Sequence, residues 1–123
     1  MSIPVRRANA LFHDTWLPDE TRRIRAEVRE FAESVLRPQA HRLNTTPESV
    51  DSFPRDIFDA MAQAGLYQIP FSADVGGRGL EFPTLATLTV LEELAYFSAG
   101  VASALYDGQA ILVGKTLEQA PEP

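Results

Sequence analysis

Three prolines, at positions 18, 54 and 83, each head a stretch in which apolar residues recur every three or four positions. Proline lacks an amide hydrogen and has a fixed φ, so it suits the first turn of an α-helix and disrupts later turns. No stretch alternates apolar and polar residues with the period of a half-buried strand. The pattern therefore predicts an all-α domain.

The first helix is expected to open at Pro18, with Asp19 and Glu20 placed to complement its dipole. Ile24, Val28, Phe31 and Val35 fall within an arc of roughly 60° on such a helix. It is expected to run to about Leu36, with Pro38 in or just past its last turn. Residues 44–53 read as a polar linker. A second helix follows over 54–64, with Ile57, Ala60, Met61 and Ala64 as its apolar stripe and Gly65 as its terminator. Residues 66–81 read as loop. A third helix over 83–97 is apolar around most of its circumference, which predicts burial at the centre of a bundle. A fourth over 100–114 places Val101, Leu105 and Leu112 on one side and Ala102, Ser103 and Tyr106 on another. The expected architecture is about four main helices in bundle-like packing. Residues 1–17 read as an irregular leader, 18–119 as the domain and 120–123 as a tail that breaks off without a structural ending, as a truncated chain would.

Charge and composition exclude several roles. Seventeen acidic against eleven basic residues give a net charge of −6, which disfavours nucleic acid and anionic membrane surfaces as partners. The chain has no cysteine, which removes disulfides, thiolate catalysis and cysteine-based zinc sites, and makes a reducing compartment the default. No apolar run reaches the length of a membrane span and no secretory signal stands out; the weakly transit-like leader is short and contains Asp14. A soluble, cytoplasmic protein is the expectation.

The motifs that invite chemistry mostly have plainer explanations. Gly114-Lys115-Thr116 lacks both the upstream glycine spacing and the strand of a phosphate loop, and reads as a helix end. Gly76-Gly77-Arg78-Gly79 lacks the spacing of a dinucleotide fingerprint and reads as a tight structural loop rather than an anion nest. His13 and His41, far apart, give no metal site. Arg22, Arg23, Arg25 and Arg29, interleaved with Glu20, Glu27, Glu30 and Glu33, read as a solvated face with local ion pairs. Glu92 and Glu93 point about 100° apart on a helix, so they form no acid–base dyad; one of them is expected to be buried against an arginine, such as one from the first helix. Ser103 and Tyr106 share a face, as core or interface hydroxyls commonly do.

An ordered series of segments adds more. Phe53-Pro54-Arg55, Met61-Ala62-Gln63-Ala64-Gly65-Leu66, Ile69-Pro70, Gly76-Gly77-Arg78-Gly79-Leu80 and Leu91-Glu92-Glu93-Leu94-Ala95 together resemble the amino-terminal helical domain of the acyl-CoA dehydrogenases, over about Asp19 to Gln119. The resemblance implies the first of three domains, the middle β and carboxy-terminal helical ones being absent from this chain. It implies α,β-dehydrogenation of an acyl-CoA thioester, with FAD held mainly by the absent domains, electron-transfer flavoprotein as acceptor, and an oligomeric enzyme. It assigns no catalytic, cofactor-binding or metal residue here, because the family's base lies in a later domain. It does place Ala102, Ser103 and Tyr106 on positions lining the acyl-chain cavity, while the segment after Tyr106 is shorter than in the family. The alternatives are a flavin monooxygenase or nitroalkane oxidase of the same fold, or a non-enzymatic helical module that binds a partner protein.

Overall fold

The computed structural model describes residues 14–110 and 112–121; residues 1–13, with His13 and most of the expected leader, lie outside it, as do residues 111, 122 and 123. The described residues are helical, with no strand among them. The four expected helices are present, divided into six α segments: α1 (Asp19–Phe31), α2 (Ala40–Thr45), α3 (Arg55–Gln63), α4 (Pro83–Ala95), α5 (Ala99–Leu105) and α6 (Gly114–Glu118).

Pro18 and Pro54 sit one position earlier than expected, as the residues flanking α1 and α3, while Pro83 is the first residue of α4. The first helix does not stop near Pro38. It widens into a π turn over Ala32–Leu36, tightens into a 3₁₀ turn over Arg37–Gln39, and continues as α2 to Thr45. A proline removes one intrahelical hydrogen bond and crowds the carbonyl four residues earlier. The wide turn ahead of Pro38 absorbs that crowding while keeping Ala32 and Leu36 in the core. Leu43 packs against that core, and the Asn44 side-chain amide donates to the Phe97 carbonyl at 2.7 Å, which holds the extension in place.

Helix α3 buries Ile57 and Met61 and ends where Gly65 takes a left-handed conformation, φ 67°. The loop that follows is rigid by construction. Its Gly77 amide donates to the Ser72 carbonyl at 2.8 Å, the Arg78 amide to Gln68 at 2.9 Å and the Gly79 amide to Phe71 at 3.1 Å. A side chain at Gly77 would place its Cβ 2.2 Å from the Phe71 carbonyl oxygen. These amides are spent on the loop itself, so the loop is a structural turn and not an anion nest. Arg78 then clamps it, donating to both oxygens of Glu27 on α1 at 2.9 and 2.6 Å and to the Ala64 carbonyl at 3.0 Å.

Helix α4 packs between α1 and α5, burying Ala86, Val90 and Leu94. Two buried hydroxyls, Thr87 and Thr89, satisfy themselves on the Pro83 and Leu85 carbonyls at 2.8 and 3.0 Å. The expectation that this helix is enclosed all round is not met. Leu88 is 52% exposed and Tyr96 58%, because α1 and α5 cover two flanks and nothing among the described residues covers the third. The fourth helix is also not continuous over 100–114. Past Leu105 it widens into a π turn over Tyr106–Ala110 and breaks before α6. Gly108, with open space around it, contributes little to holding an α geometry there. Leu112 is consequently exposed rather than sharing the buried side of Val101 and Leu105. Gly114-Lys115-Thr116 begins α6 instead of ending a helix, and α6 is tied back by Glu118, which accepts from the Ser72 amide and hydroxyl at 3.3 and 2.9 Å. That contact and Lys115 together hold the Glu118 carboxyl below its ordinary value, the lysine hydrogen bond being the largest cause.

Two of the four arginines of α1, Arg25 and Arg29, depart from the expected solvated face with local pairing, whereas Arg22 and Arg23 are exposed. Arg29 donates twice to Glu93, at 2.7 and 3.1 Å, and Arg25 donates to Glu93 at 3.2 Å and to Glu92 at 2.7 Å. Glu93 is 1% exposed. Its hydrogen bond with Glu93 raises the Arg29 guanidinium above its ordinary value, against the opposing pull of burial. Glu20, another member of that supposed face, accepts from the Glu81 and Phe82 amides at 3.0 and 3.4 Å and so satisfies the start of α4. Arg22 does pair locally, with Asp19. The expectation that Glu92 or Glu93 is buried against an arginine of the first helix is met at Glu93; local spacing did not show which arginines reach it.

Removing a buried carboxylate strands its cations. Glu93→Ala is expected to destabilise the chain by about 3 kcal/mol, and Glu92→Ala, at an exposed position, by under about 1 kcal/mol. Urea denaturation midpoints at unchanged slope measure both. Equal losses would show that the two carboxylates are equivalent. Gly77→Ala is expected to cost about 3 kcal/mol through overpacking, against about 1 kcal/mol for Gly76→Ala, where only the left-handed backbone resists; thermal melts that rank them the other way would contradict the loop geometry.

Candidate functional site

The open flank of α4 becomes a groove where α5 folds back beside it. The connection is only Tyr96-Phe97-Ser98. Ser98 is buried, and its hydroxyl accepts from the Val101 amide at 3.4 Å, which fixes the start of α5 as an N-cap does. The Tyr96 and Phe97 rings meet edge to face, with centroids 5.1 Å apart. With the turn set this way, residues one helical turn apart on each helix face each other. Leu91, Glu92 and Ala95 of α4 and Ala99, Ala102 and Ser103 of α5, with Tyr106 just beyond, line a groove of about 350 Å³.

The chemistry of this lining is simple. Its floor is small and aliphatic, because alanines at 95, 99 and 102 leave room between the helices. Ala102 is buried, Ser103 is exposed, and Tyr106 is 36% exposed at the start of the π turn. Tyr106 is thus the lining residue that belongs to the widened turn. At the rim stands Glu92, its carboxylate held by Arg25, which also reaches the buried Glu93. The groove lining therefore has one carboxylate and no cation.

All three residues anticipated from the sequence, Ala102, Ser103 and Tyr106, line this one groove. Its other wall was missed. Leu91, Glu92 and Ala95 fall on one side of α4, but the helix is apolar nearly all round, so periodicity did not single that side out. The serine cap at Ser98, directly after Tyr96-Phe97, is the sequence signal that would have shown the turn and so which sides face each other.

Other places carry less. A larger groove of about 590 Å³ lies on the other side of α5, between Val101 and the 42–58 region, but its one arginine, Arg42, already pairs with Asp56 at 2.8 Å. His41 is exposed, and no group of three or more possible metal ligands occurs among the described residues. No described helix is long and apolar enough to cross a membrane.

Comparison with known proteins agrees with the geometry. The family model described as acyl-CoA dehydrogenase, N-terminal domain matches residues 18–121. The chain is similar to a 3-(aryl)acrylate reductase of Clostridium sporogenes, 34% identical over 74% of this chain and 22% of that protein. It is similar to a short-chain-specific acyl-CoA dehydrogenase of Clostridium acetobutylicum, 35% identical over 64% of this chain and 19% of that protein. It also matches a (2S)-methylsuccinyl-CoA dehydrogenase of Cereibacter sphaeroides, 31% identical over 76% of this chain and 16% of that protein. The chain thus aligns with roughly a fifth of the length of these relatives. No solved structure matches with comparable significance. A family match over nearly every described residue, on an all-helical body, places this chain in the acyl-CoA dehydrogenase family as its amino-terminal domain.

Proposed function

We propose that the groove between α4 and α5 is one wall of the cavity for the acyl tail of a coenzyme A thioester, in an enzyme that performs flavin-dependent α,β-dehydrogenation. The observation that carries this reading is the lining itself: mostly small and aliphatic, with Ser103 and Tyr106 beside it, in the size range of small-ligand sites. A lining of small apolar side chains gains from burying hydrocarbon, and short residues between two helices leave a slot the width of a chain. Two of the relatives are named as a short-chain-specific acyl-CoA dehydrogenase and a (2S)-methylsuccinyl-CoA dehydrogenase, which favours the same chemistry.

The residues present do not fit the flavin. A dinucleotide's pyrophosphate needs cations or free backbone amides, and the groove lining has no cation while the amides of the glycine-rich loop are engaged within the loop. Holding FAD, and supplying the base that takes the α-proton, are therefore assigned to other polypeptide, and electron-transfer flavoprotein and oligomer contacts belong with that larger protein. Within this division the present domain contributes shape and water exclusion. The exposed flank formed by Leu88 and Tyr96 is the surface that the rest of such an enzyme would cover.

In this reading Tyr106 limits how far a tail can extend along the slot. In the FAD-loaded enzyme carrying this domain, Tyr106→Ala is expected to move the kcat/KM optimum towards longer straight-chain acyl-CoAs. Each methylene newly accommodated is worth about 0.8 kcal/mol, or about fourfold. Steady-state kinetics across a chain-length series measures this, and an unchanged profile would remove Tyr106 from the cavity.

A further inference from the structure

Helical serines and threonines in this chain mostly turn their hydroxyls back onto the carbonyl four residues earlier. Ser34, Thr87, Thr89 and Thr116 do so at 2.8, 2.8, 3.0 and 2.8 Å. Ser103, in the middle of α5, does not. Neither its Oγ nor the Tyr106 phenol has a hydrogen-bond partner among the described residues, and both side chains line the groove. On the same lining stands the Glu92 carboxylate, which Arg25 holds at 2.7 Å from α1. An apolar slot thus carries two uncommitted hydroxyls and one exposed carboxylate paired with Arg25.

We propose that this groove selects acyl thioesters whose tail carries a neutral oxygen, such as a hydroxyl, over plain hydrocarbon tails of equal length, with Ser103 and Tyr106 as the specificity-determining residues. The inference rests on the acyl-tail reading given above. Once the slot is roofed and dry, a saturated tail leaves both hydroxyls without partners, whereas a tail hydroxyl satisfies one or both as donor and acceptor. Glu92 bears on what is tolerated: a tail ending in a carboxylate meets the like charge of this exposed side chain, which stands 2.7 Å from Arg25, so dicarboxylic acyl groups are disfavoured. A neutral hydroxyl meets no such penalty.

The test uses the FAD-loaded enzyme with hexanoyl-CoA, ω-hydroxyhexanoyl-CoA and adipoyl-CoA as alternative substrates. The expected kcat/KM is roughly three- to tenfold higher for the hydroxylated substrate than for hexanoyl-CoA, with adipoyl-CoA the poorest. In Ser103→Ala and Tyr106→Phe, which keep the shape of the slot, the ratio of kcat/KM for ω-hydroxyhexanoyl-CoA to that for hexanoyl-CoA falls towards unity. Glu92→Gln is expected to recover adipoyl-CoA selectively. Oxidation of the first two substrates with equal efficiency, or a preference that survives both hydroxyl deletions, overturns this inference and leaves the dehydrogenase reading standing. Oxidation of none of the three, with flavin bound, overturns the dehydrogenase reading and this inference with it.

Discussion

The arrangement turns on one carboxylate. Glu93 lies on a helix otherwise rich in aliphatic residues, almost wholly removed from solvent, and two arginines from α1 reach across to it. An isolated charge in that position would be prohibitively costly, and an ion pair there adds little net stability over well-packed hydrocarbon. Its physical meaning is directional. Hydrocarbon contacts along Val28, Val90 and Leu94 tolerate sliding and rotation, whereas the paired hydrogen bonds from Arg29 fix where α4 lies along α1 and which of its sides turns inward. The exposed flank, and with it the groove, follows from that choice.

The periodic elements were legible in the sequence for a clear reason. Pro54, the stripe Ile57–Met61 and Gly65 encode start, buried side and stop within eleven or so residues, so local information suffices. The same is true of the rigid turn at Gly77. What failed were inferences in which a local rule was outweighed by distant packing. Pro38 reads as an end, yet Leu36 and Leu43 on either side of it are held by the core, and the helix deforms rather than stopping. The arginines of α1 read as solvated because their acidic neighbours are close in sequence, yet two of them, Arg25 and Arg29, have partners more than sixty residues away.

The candidate site was half legible. Periodicity put Ala102, Ser103 and Tyr106 on one face of the helix, and the family resemblance is what marked that face as lining a cavity. The opposing wall on α4 has no such contrast, and its orientation is set only by the short turn capped at Ser98 and by the Glu93 anchor. A sequence that is apolar all round states that a helix is packed, but not how much of it this one chain can cover.

Arg25 joins the two halves of this account, since the same guanidinium grips Glu93 in the interior and Glu92 at the edge of the groove. It acts as a bracket shared between the foundation and the doorway. A lineage that retunes the doorway by replacing Glu92 also slackens the bracket, and one that reinforces the foundation stiffens the doorway. Within this domain, ligand preference and structural robustness therefore share one side chain: the fold resists loss of Arg25, which leaves the buried Glu93 short of a partner, more than loss of the exposed Glu92.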